Sequence, residues 1–250
     1  DIDNKGLAGI ERHMDTLLRK NKGPLELSID IRIQHILRKE LGSAISEFKG
    51  IGGAGIVMNV RNGEVMGIVS LPDFDPNIPA NIEANTLFNR ATLGVYEMGS
   101  TFKIFTTAMA LDNDRISIRD RYDATHPIRI SRFIIRDYHA QKRWLSIPEI
   151  FMYSSNIGSA KMALDVGIAR QRAFLQKIGI LHPSPVEISE IGLPLIPSRW
   201  REINAMTISY GHGLSISPMQ LVSGVAAMVN GGVYHAPTFL KKRLRTSEQG

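Results

Sequence analysis

The sequence predicts an α+β fold in which a largely helical cluster is inserted between pieces of one antiparallel sheet. Three observations lead there. Two apolar segments, residues 55–60 and 65–69, flank Arg61-Asn62-Gly63-Glu64, and an Asn-Gly pair in that position signals a tight hairpin turn. A helix with one apolar stripe precedes the hairpin and is suited to cover a sheet face. Helical patterns with their own start and stop signals then fill most of residues 100–230, ahead of a β-like stretch.

Residues 1–24 hold a short helical pattern (Ile10, Met14, Leu17, Leu18) closed by Gly23-Pro24, and are expected to be the tail of a preceding region. Residues 25–29 read as a strand. Asp30 then caps a helix whose apolar positions Ile33, Ile36, Leu37, Leu41, Ala44, Ile45 and Phe48 follow steps of three and four. His35 falls off that stripe and belongs in solvent. Glycines 50, 52, 53 and 55 precede the first hairpin strand without a Gly-Lys-Ser/Thr ending, so they suit close packing or a flexible entry rather than a phosphate loop. Residues 71–97 are irregular, with Pro72, Pro76 and Pro79 among them. Asp73 and Asp75 lack the oxygen-rich spacing of a calcium loop and read as turn-capping carboxylates.

Beyond Gly99 the pattern turns helical. Phe102, Ile104, Phe105, Ala108, Met109 and Leu111 surround the cylinder, as in a helix buried in mid-domain. Residues 114–145 are charged and aromatic, with Arg129, Arg132, Arg136, His139, Lys142, Arg143 and Trp144. They fit either a groove edge for anionic or polar ligands or a solvated excursion. Ser146-Ile147-Pro148-Glu149 is a capping box with proline in the first turn, starting a short helix toward Tyr153. Further helices are expected over residues 157–166 and 170–179, and a proline-bearing loop over 180–203. Ser217-Pro218 starts a helix through Val229 that Asn230-Gly231-Gly232 stops, and a strand is expected over 233–240. No internal repeat is visible.

Composition narrows the functional classes. The 250 residues are 43% hydrophobic, enough to fill a core without staples. Lys and Arg number 30 against 24 Asp and Glu, a net +6 that is dispersed along the chain, so nucleic-acid binding is not expected. The clearest basic run, Lys241-Lys242-Arg243-Leu244-Arg245, reads as a solvated strand or hairpin rather than a contact patch. The absence of Cys excludes disulfides, thiolate catalysis and Cys-ligated metal, and no metal or cofactor is expected. No run approaches the roughly 18 apolar residues of a membrane span, and no signal pattern opens the chain. The first residue is Asp1, so the chain is expected to be an excised or processed piece.

Chemistry concentrates at Ser100-Thr101-Phe102-Lys103. Three residues apart at a helix start, Ser100 and Lys103 lie on one face. A lysine amine sunk among Phe102, Ile104 and Phe105 is penalised for its charge, which makes it available as a base for the Ser100 hydroxyl. The helix start also favours negative charge developing beside the serine. Taken alone, Ser-x-x-Lys is common, and an N-cap serine with a surface lysine is its ordinary meaning. Tyr153-Ser154-Ser155-Asn156 adds a second polar loop at a helix junction, where capping is the plain alternative. There Ser154 can pass a proton between Lys103 and a leaving group, and Asn156 can donate and accept against a peptide-like substrate.

Ser-x-x-Lys with Ser-x-Asn and Lys-Thr-Gly is the known signature of penicillin-binding proteins and class A β-lactamases. The chain resembles the transpeptidase domain of class B penicillin-binding proteins of the division-specific type along nearly its whole length. The resemblance rests on Gly6-Leu7-Ala8-Gly9-Ile10-Glu11, Leu27-Ser28-Ile29-Asp30, Ser70-Leu71-Pro72-Asp73-Phe74-Asp75-Pro76-Asn77, Asn89-Arg90-Ala91, Glu97-Met98-Gly99-Ser100-Thr101-Phe102-Lys103, Ser154-Ser155-Asn156-Ile157-Gly158 and Tyr210-Gly211-His212-Gly213. It implies the serine β-lactamase-like fold, with residues 1–24 as the end of a pedestal or linker, 25–250 as a partial transpeptidase domain, and a helical insertion at about 100–230. It also implies a D,D-transpeptidase that cross-links peptidoglycan stem peptides during septal wall synthesis. Ser100 is then the nucleophile, Lys103 its base, and Ser154 and Asn156 the second motif. β-Lactam antibiotics would acylate the same serine, membrane proteins of the division complex would be partners, and the domain would face the periplasm from an inner-membrane anchor.

Two departures stand out. Met98 replaces a proline found in many relatives. No Lys-Thr-Gly or Lys-Ser-Gly occurs in the chain, although the family's third motif helps bind the substrate carboxylate and precedes an oxyanion donor. The 250 residues are therefore expected to be part of a longer active enzyme, and by themselves a poor catalyst, since loss of one oxyanion donor costs about 3 kcal/mol. A β-lactam sensor domain, a β-lactamase and a non-catalytic division scaffold are the alternatives.

Overall fold

The computed structural model describes residues 5–20, 23–75, 82–114, 116–130 and 133–242. Pro76, Asn77, Pro79, Arg132, Arg243, Leu244 and Arg245, named above, lie outside the described residues. In chain order the elements are α1 (Gly9–His13), α2 (Asp15–Lys20), α3 (Ile31–Glu47), β1 (Gly53–Met58), β2 (Val65–Leu71) and β3 (Tyr96–Glu97). A 3₁₀ turn, Gly99–Phe102, runs into α4 (Lys103–Leu111), followed by β4 (Arg121–Asp123), β5 (Ile128–Ile130), β6 (Phe133–Ile135) and β7 (Trp144–Ser146). The remainder are α5 (Ile147–Met152), α6 (Asn156–Val166), α7 (Ile168–Lys177), α8 (Glu202–Ile208), β8 (Ser215–Ile216) and α9 (Pro218–Val229). They form two units. One comprises Tyr96–His182 with Pro194–Ile216; the other comprises the described parts of Asp1–Val95 and Ser217–Gly250 with Pro183–Leu193.

The sheet unit is built on the predicted hairpin. β1 and β2 pair antiparallel from Gly53↔Leu71 to Met58↔Val65, with an irregularity at Val57/Met58 beside the turn. Gly63 takes φ 79° in that turn, a conformation open to glycine and disfavoured for residues with a Cβ. Asp30 caps α3 by accepting from Arg32 N, as expected. The sheet glycines then explain themselves. A Cβ on Gly55 would lie 2.8 Å from Leu37, one on Gly53 3.0 Å from Leu41, and one on Gly67 3.0 Å from Ile33, so α3 rests directly on the backbone of the hairpin. On the other face Ile56, Met58 and Ile68 join Met219 and Val222 of α9 in a core with Val65, Val186, Ile188 and Phe239. His35 is exposed, and Asp73 is engaged by Arg38 at 2.8 Å.

Two expected strands reduce to single bridges. Among the described residues, 25–29 pair only through Leu27↔Leu240, and 233–240 add Glu64↔Thr238. Ser28 Oγ donates to Val65 O and Glu187 accepts from Phe239 N, so side chains satisfy backbone groups that a continuous ladder would have used.

The helical unit centres on α6, whose small residues let neighbours approach from several sides. Ile157, Gly158, Ser159, Ala160, Met162, Ala163 and Val166 are all buried. α4 buries Lys103, Phe105, Thr106, Met109 and Ala110 but leaves Leu111 41% exposed, so it is buried on one side rather than all round as its composition suggested. The core joins Met109, Leu145, Ile147, Ile150, Ile157 and Met162, each such side chain contributing about 1.5–3 kcal/mol of burial. The capping box at Ser146 and Glu149 forms as read. α8 and the ladders β4–β7 and β5–β6 were not foreseen: three-residue strands with mixed burial leave no period to detect.

Gly158 is where α5 meets α6. A Cβ there would fall 2.5–2.9 Å from three carbons of the fully buried Ile150. Gly158→Ala gains about 1 kcal/mol of helix propensity yet overpacks this contact at a cost of about 1–3 kcal/mol. Net destabilisation is expected in urea unfolding of the full protein, and a variant as stable as wild type would contradict the packing account.

Candidate active site

Ser100 and Lys103 flank the junction of the 3₁₀ turn and α4. In a 3₁₀ turn side chains three apart eclipse one another, which brings the lysine amine over the serine hydroxyl more closely than an α-turn would. Lys103 Nζ lies 2.9 Å from Ser100 Oγ. It donates to Asn156 Oδ1 at 2.7 Å and to Ser154 O at 2.8 Å, and lies 2.9 Å from Ser154 Oγ. All four residues singled out from the sequence therefore meet at the side-chain nitrogen of Lys103, a residue only 2% exposed.

The valences of that nitrogen are informative. Both carbonyl oxygens can only accept, so they take two N–H bonds. A neutral amine then has one lone pair left, and the atoms around it are the hydroxyls of Ser100 and Ser154, either of which can donate to it. An ammonium has three protons for four acceptors and no lone pair. Burial lowers the amine from its ordinary 10.5 to about 8, against the opposing pull of the Asp137 carboxylate. The arrangement can thus take a proton from a serine hydroxyl near neutral pH.

The second loop owes its shape to the end of α5. Ser155 N donates to Ile150 O at 2.9 Å and Ser154 N to Phe151 O at 3.2 Å, which is the Schellman pattern that closes a helix with a left-handed residue. Glycine is the usual occupant of that position. Here it is Ser154, at φ 55°. The left-handed backbone turns both the carbonyl and the hydroxyl of Ser154 onto Lys103. Ser155 then caps α6, accepting from Gly158 N at 2.9 Å.

Asp137, absent from the sequence reading, holds this loop from behind. Its two oxygens accept from Ser155 Oγ at 2.8 Å and Ile157 N at 2.9 Å, while Arg136 O accepts from Asn156 Nδ2 at 2.9 Å. Both ends of the Asn156 amide are consequently engaged, leaving one further acceptor and one further donor valence for a substrate. The nearest sequence signal was the acid itself, alone among the arginines of residues 129–143.

The serine turn is braced on its other side by residues 210–213. β3 pairs with β8, Gly99 N donates to Gly211 O at 3.1 Å, and Gly213 N to Glu97 Oε1 at 2.6 Å. Gly211 has φ 83°, and a Cβ there would run into the backbone of Gly99. Met98 has φ −80°, a value a proline ring also allows, so the departure noted above preserves the path into Ser100.

Comparison with known proteins bears on this arrangement. Residues 53–249 match the model of the penicillin binding protein transpeptidase domain. The chain is 41% identical over 245 residues to the probable peptidoglycan D,D-transpeptidase FtsI of Caulobacter vibrioides, covering 96% of this chain and 42% of that protein. It is 30% identical over 274 residues to the probable peptidoglycan D,D-transpeptidase PenA of Neisseria meningitidis, covering 97% of this chain and 46% of that protein. Among solved structures, the transpeptidase domain of Burkholderia pseudomallei penicillin-binding protein 3 superposes with a TM-score of 0.77 at 29% identity, over 88% of this chain and 64% of that one. The chain thus spans less than half the length of these two curated relatives, and the predicted mixed fold, an antiparallel sheet with a helical subdomain, is the fold it shares with the solved structure.

The left-handed serine sets up a stability test. Ser154→Gly and Ser154→Ala both remove the hydroxyl, but only glycine adopts φ 55° without penalty. Thermal unfolding should rank the glycine variant above the alanine variant by about 1 kcal/mol, the reverse of their order inside a helix. Equal stability of the two would contradict a strained Ser154.

Proposed function

The chain belongs to the penicillin-binding-protein transpeptidase family, and from that premise we propose that the whole protein is a serine D,D-transpeptidase cross-linking peptidoglycan stem peptides in septal wall synthesis. The observation that carries the reading is the buried Lys103 amine, held by two carbonyl oxygens with Ser100 Oγ 2.9 Å away.

In this reading Ser100 Oγ attacks the carbonyl carbon of the D-Ala-D-Ala bond while its proton passes to Lys103 Nζ. Ser154 Oγ, also 2.9 Å from Nζ, relays that proton to the departing D-Ala amine. The acyl group stays on Ser100 until the amine of a neighbouring stem attacks, gives its proton to the same relay and restores the hydroxyl. Asn156 orients the lysine through Oδ1 and offers its remaining valences to the stem peptide. A β-lactam enters by the same first step, but its ring nitrogen stays tethered to the acyl group, so the adduct persists.

The remaining assignments follow the family. Residues 1–24 end a pedestal region and 25–250 form part of the transpeptidase domain. The domain works on the periplasmic side of the inner membrane beside membrane proteins of the division complex. Among the described residues no helix is long and apolar enough to cross a membrane.

Lys103 must be neutral to act, and lowering it from 10.5 to about 8 raises the neutral fraction at pH 7 about 300-fold. Stopped-flow acylation of the full protein by a fluorescent penicillin should rise with pH from 6 and level off above about 8. A flat profile would contradict Lys103 as the base. Lys103→Arg, permanently protonated, should acylate at least about 100-fold more slowly, whereas a rate within tenfold of wild type would remove Lys103 from that role. Intact-mass analysis should place the adduct on Ser100. No adduct would favour a scaffold, and rapid loss of the adduct a β-lactamase.

A further inference from the structure

Lys103 gains its environment from the loop at 154–156, and that loop has its own anchor. We propose that Asp137 is a positioning residue for the reaction: its carboxylate clamps the loop carrying Ser154 and Asn156 against Lys103 and brings a negative charge to the loop that surrounds the amine. The inference rests on the acyl-transfer reading above.

The clamp engages consecutive positions. Asp137 Oδ2 accepts from Ser155 Oγ at 2.8 Å and Oδ1 from Ile157 N at 2.9 Å, and the preceding carbonyl, Arg136 O, accepts from Asn156 Nδ2 at 2.9 Å. Three successive residues, 155, 156 and 157, are thus tied to two successive residues, 136 and 137. Ser155 is buried at 1% exposure, and its hydroxyl also accepts from Gly158 N. Between α5 and the clamp lie the C-cap Tyr153 and Ser154, whose left-handed backbone aims its carbonyl at Lys103. A change at Asp137 therefore reaches Lys103 through Ser154 on one side and Asn156 Oδ1 on the other. The Ile157 N–H that donates to the carboxylate lies in the first turn of α6, an eleven-residue helix, where negative charge is favoured.

Charge gives the second half of the argument. The groups touching Nζ are neutral: Ser100, Ser154 and Asn156. Asp137 is the charge that acts on it, raising the affinity of the amine for its proton while burial lowers it. Charged groups on the helices packed against α4 are held elsewhere. Glu149 of α5 pairs with Arg143, Lys161 of α6 with Asp123, and Asp165 of α6 bonds Tyr122. On α7, Arg170 reaches Asn113 and Arg172 lies over Trp200, while Lys177 is the last residue of the helix and lines a surface pocket. Asp137 is therefore suited to set the pH at which the lysine becomes a base.

The test uses the full protein and the pH profile of acylation by a fluorescent penicillin. Asp137→Asn retains the size of the side chain and removes its charge. Its plateau rate should fall at least about tenfold, and the rising limb should move to lower pH, because an amine without the carboxylate loses its proton more readily. Asp137→Glu keeps the charge and should return the limb toward its wild-type position while the plateau stays reduced. Ser155→Ala keeps the carboxylate but removes one of its two donors, so its plateau should fall at least about fivefold with the limb unmoved. A limb in Asp137→Asn that coincides with wild type would leave Asp137 a helix cap and overturn the assignment, as would an undiminished plateau in Ser155→Ala. Acylated wild type with unaffected variants sinks this inference alone; wild type that is never acylated sinks the acyl-transfer reading with it.

Discussion

The structure of the site depends on one unfavourable burial: a lysine residue at 2% exposure with no carboxylate among the described residues in hydrogen-bonding contact. A surface lysine keeps its proton and is useless as a base near neutral pH. Buried on a helix turn with Phe102 and Phe105 and met by one backbone carbonyl, one amide oxygen and two hydroxyls, Lys103 is satisfied without being strongly held in its charged form. The loop at 154–156 supplies most of those neutral acceptors, and Asp137 holds that loop in place.

Seen in this way, the irregularities of the helical unit have a common purpose. A Schellman turn with serine where glycine is usual costs about 1 kcal/mol or more, and what it secures is two oxygens from one residue on the amine. Gly158 lets α5 and α6 close to the distance that makes this turn short, and Gly211 lets residues 210–213 support the serine turn from the opposite side. Removal of either small residue would act on the chemistry through position, without touching a reacting atom.

How much of this was legible in the sequence depended on the range of the interaction. Ser100 with Lys103, the Asp30 cap, the Ser146–Glu149 box and the Asn62-Gly63 turn are all set by neighbours within four residues, so spacing alone reveals them. Ser154 and Asn156 were recognisable as a motif, but their convergence on Lys103 spans more than fifty residues and needed the fold. Asp137 was missed because its partners lie 18 and 20 residues away across short strands that show no periodicity. The expected strands at 25–29 and 233–240 shrank to bridges because side chains of Ser28 and Glu187 answer part of the backbone there, which an apolar pattern does not disclose.

The central claim is that Lys103 is held in a state from which it readily gives up its proton. The direct test is an NMR titration of the lysine side-chain carbons in the full protein, with the Lys103 signal identified by its loss in a Lys103→Arg sample. The account predicts that Lys103 titrates near 8, well below its ordinary 10.5. A Lys103 signal that titrates at the ordinary 10.5 would contradict it.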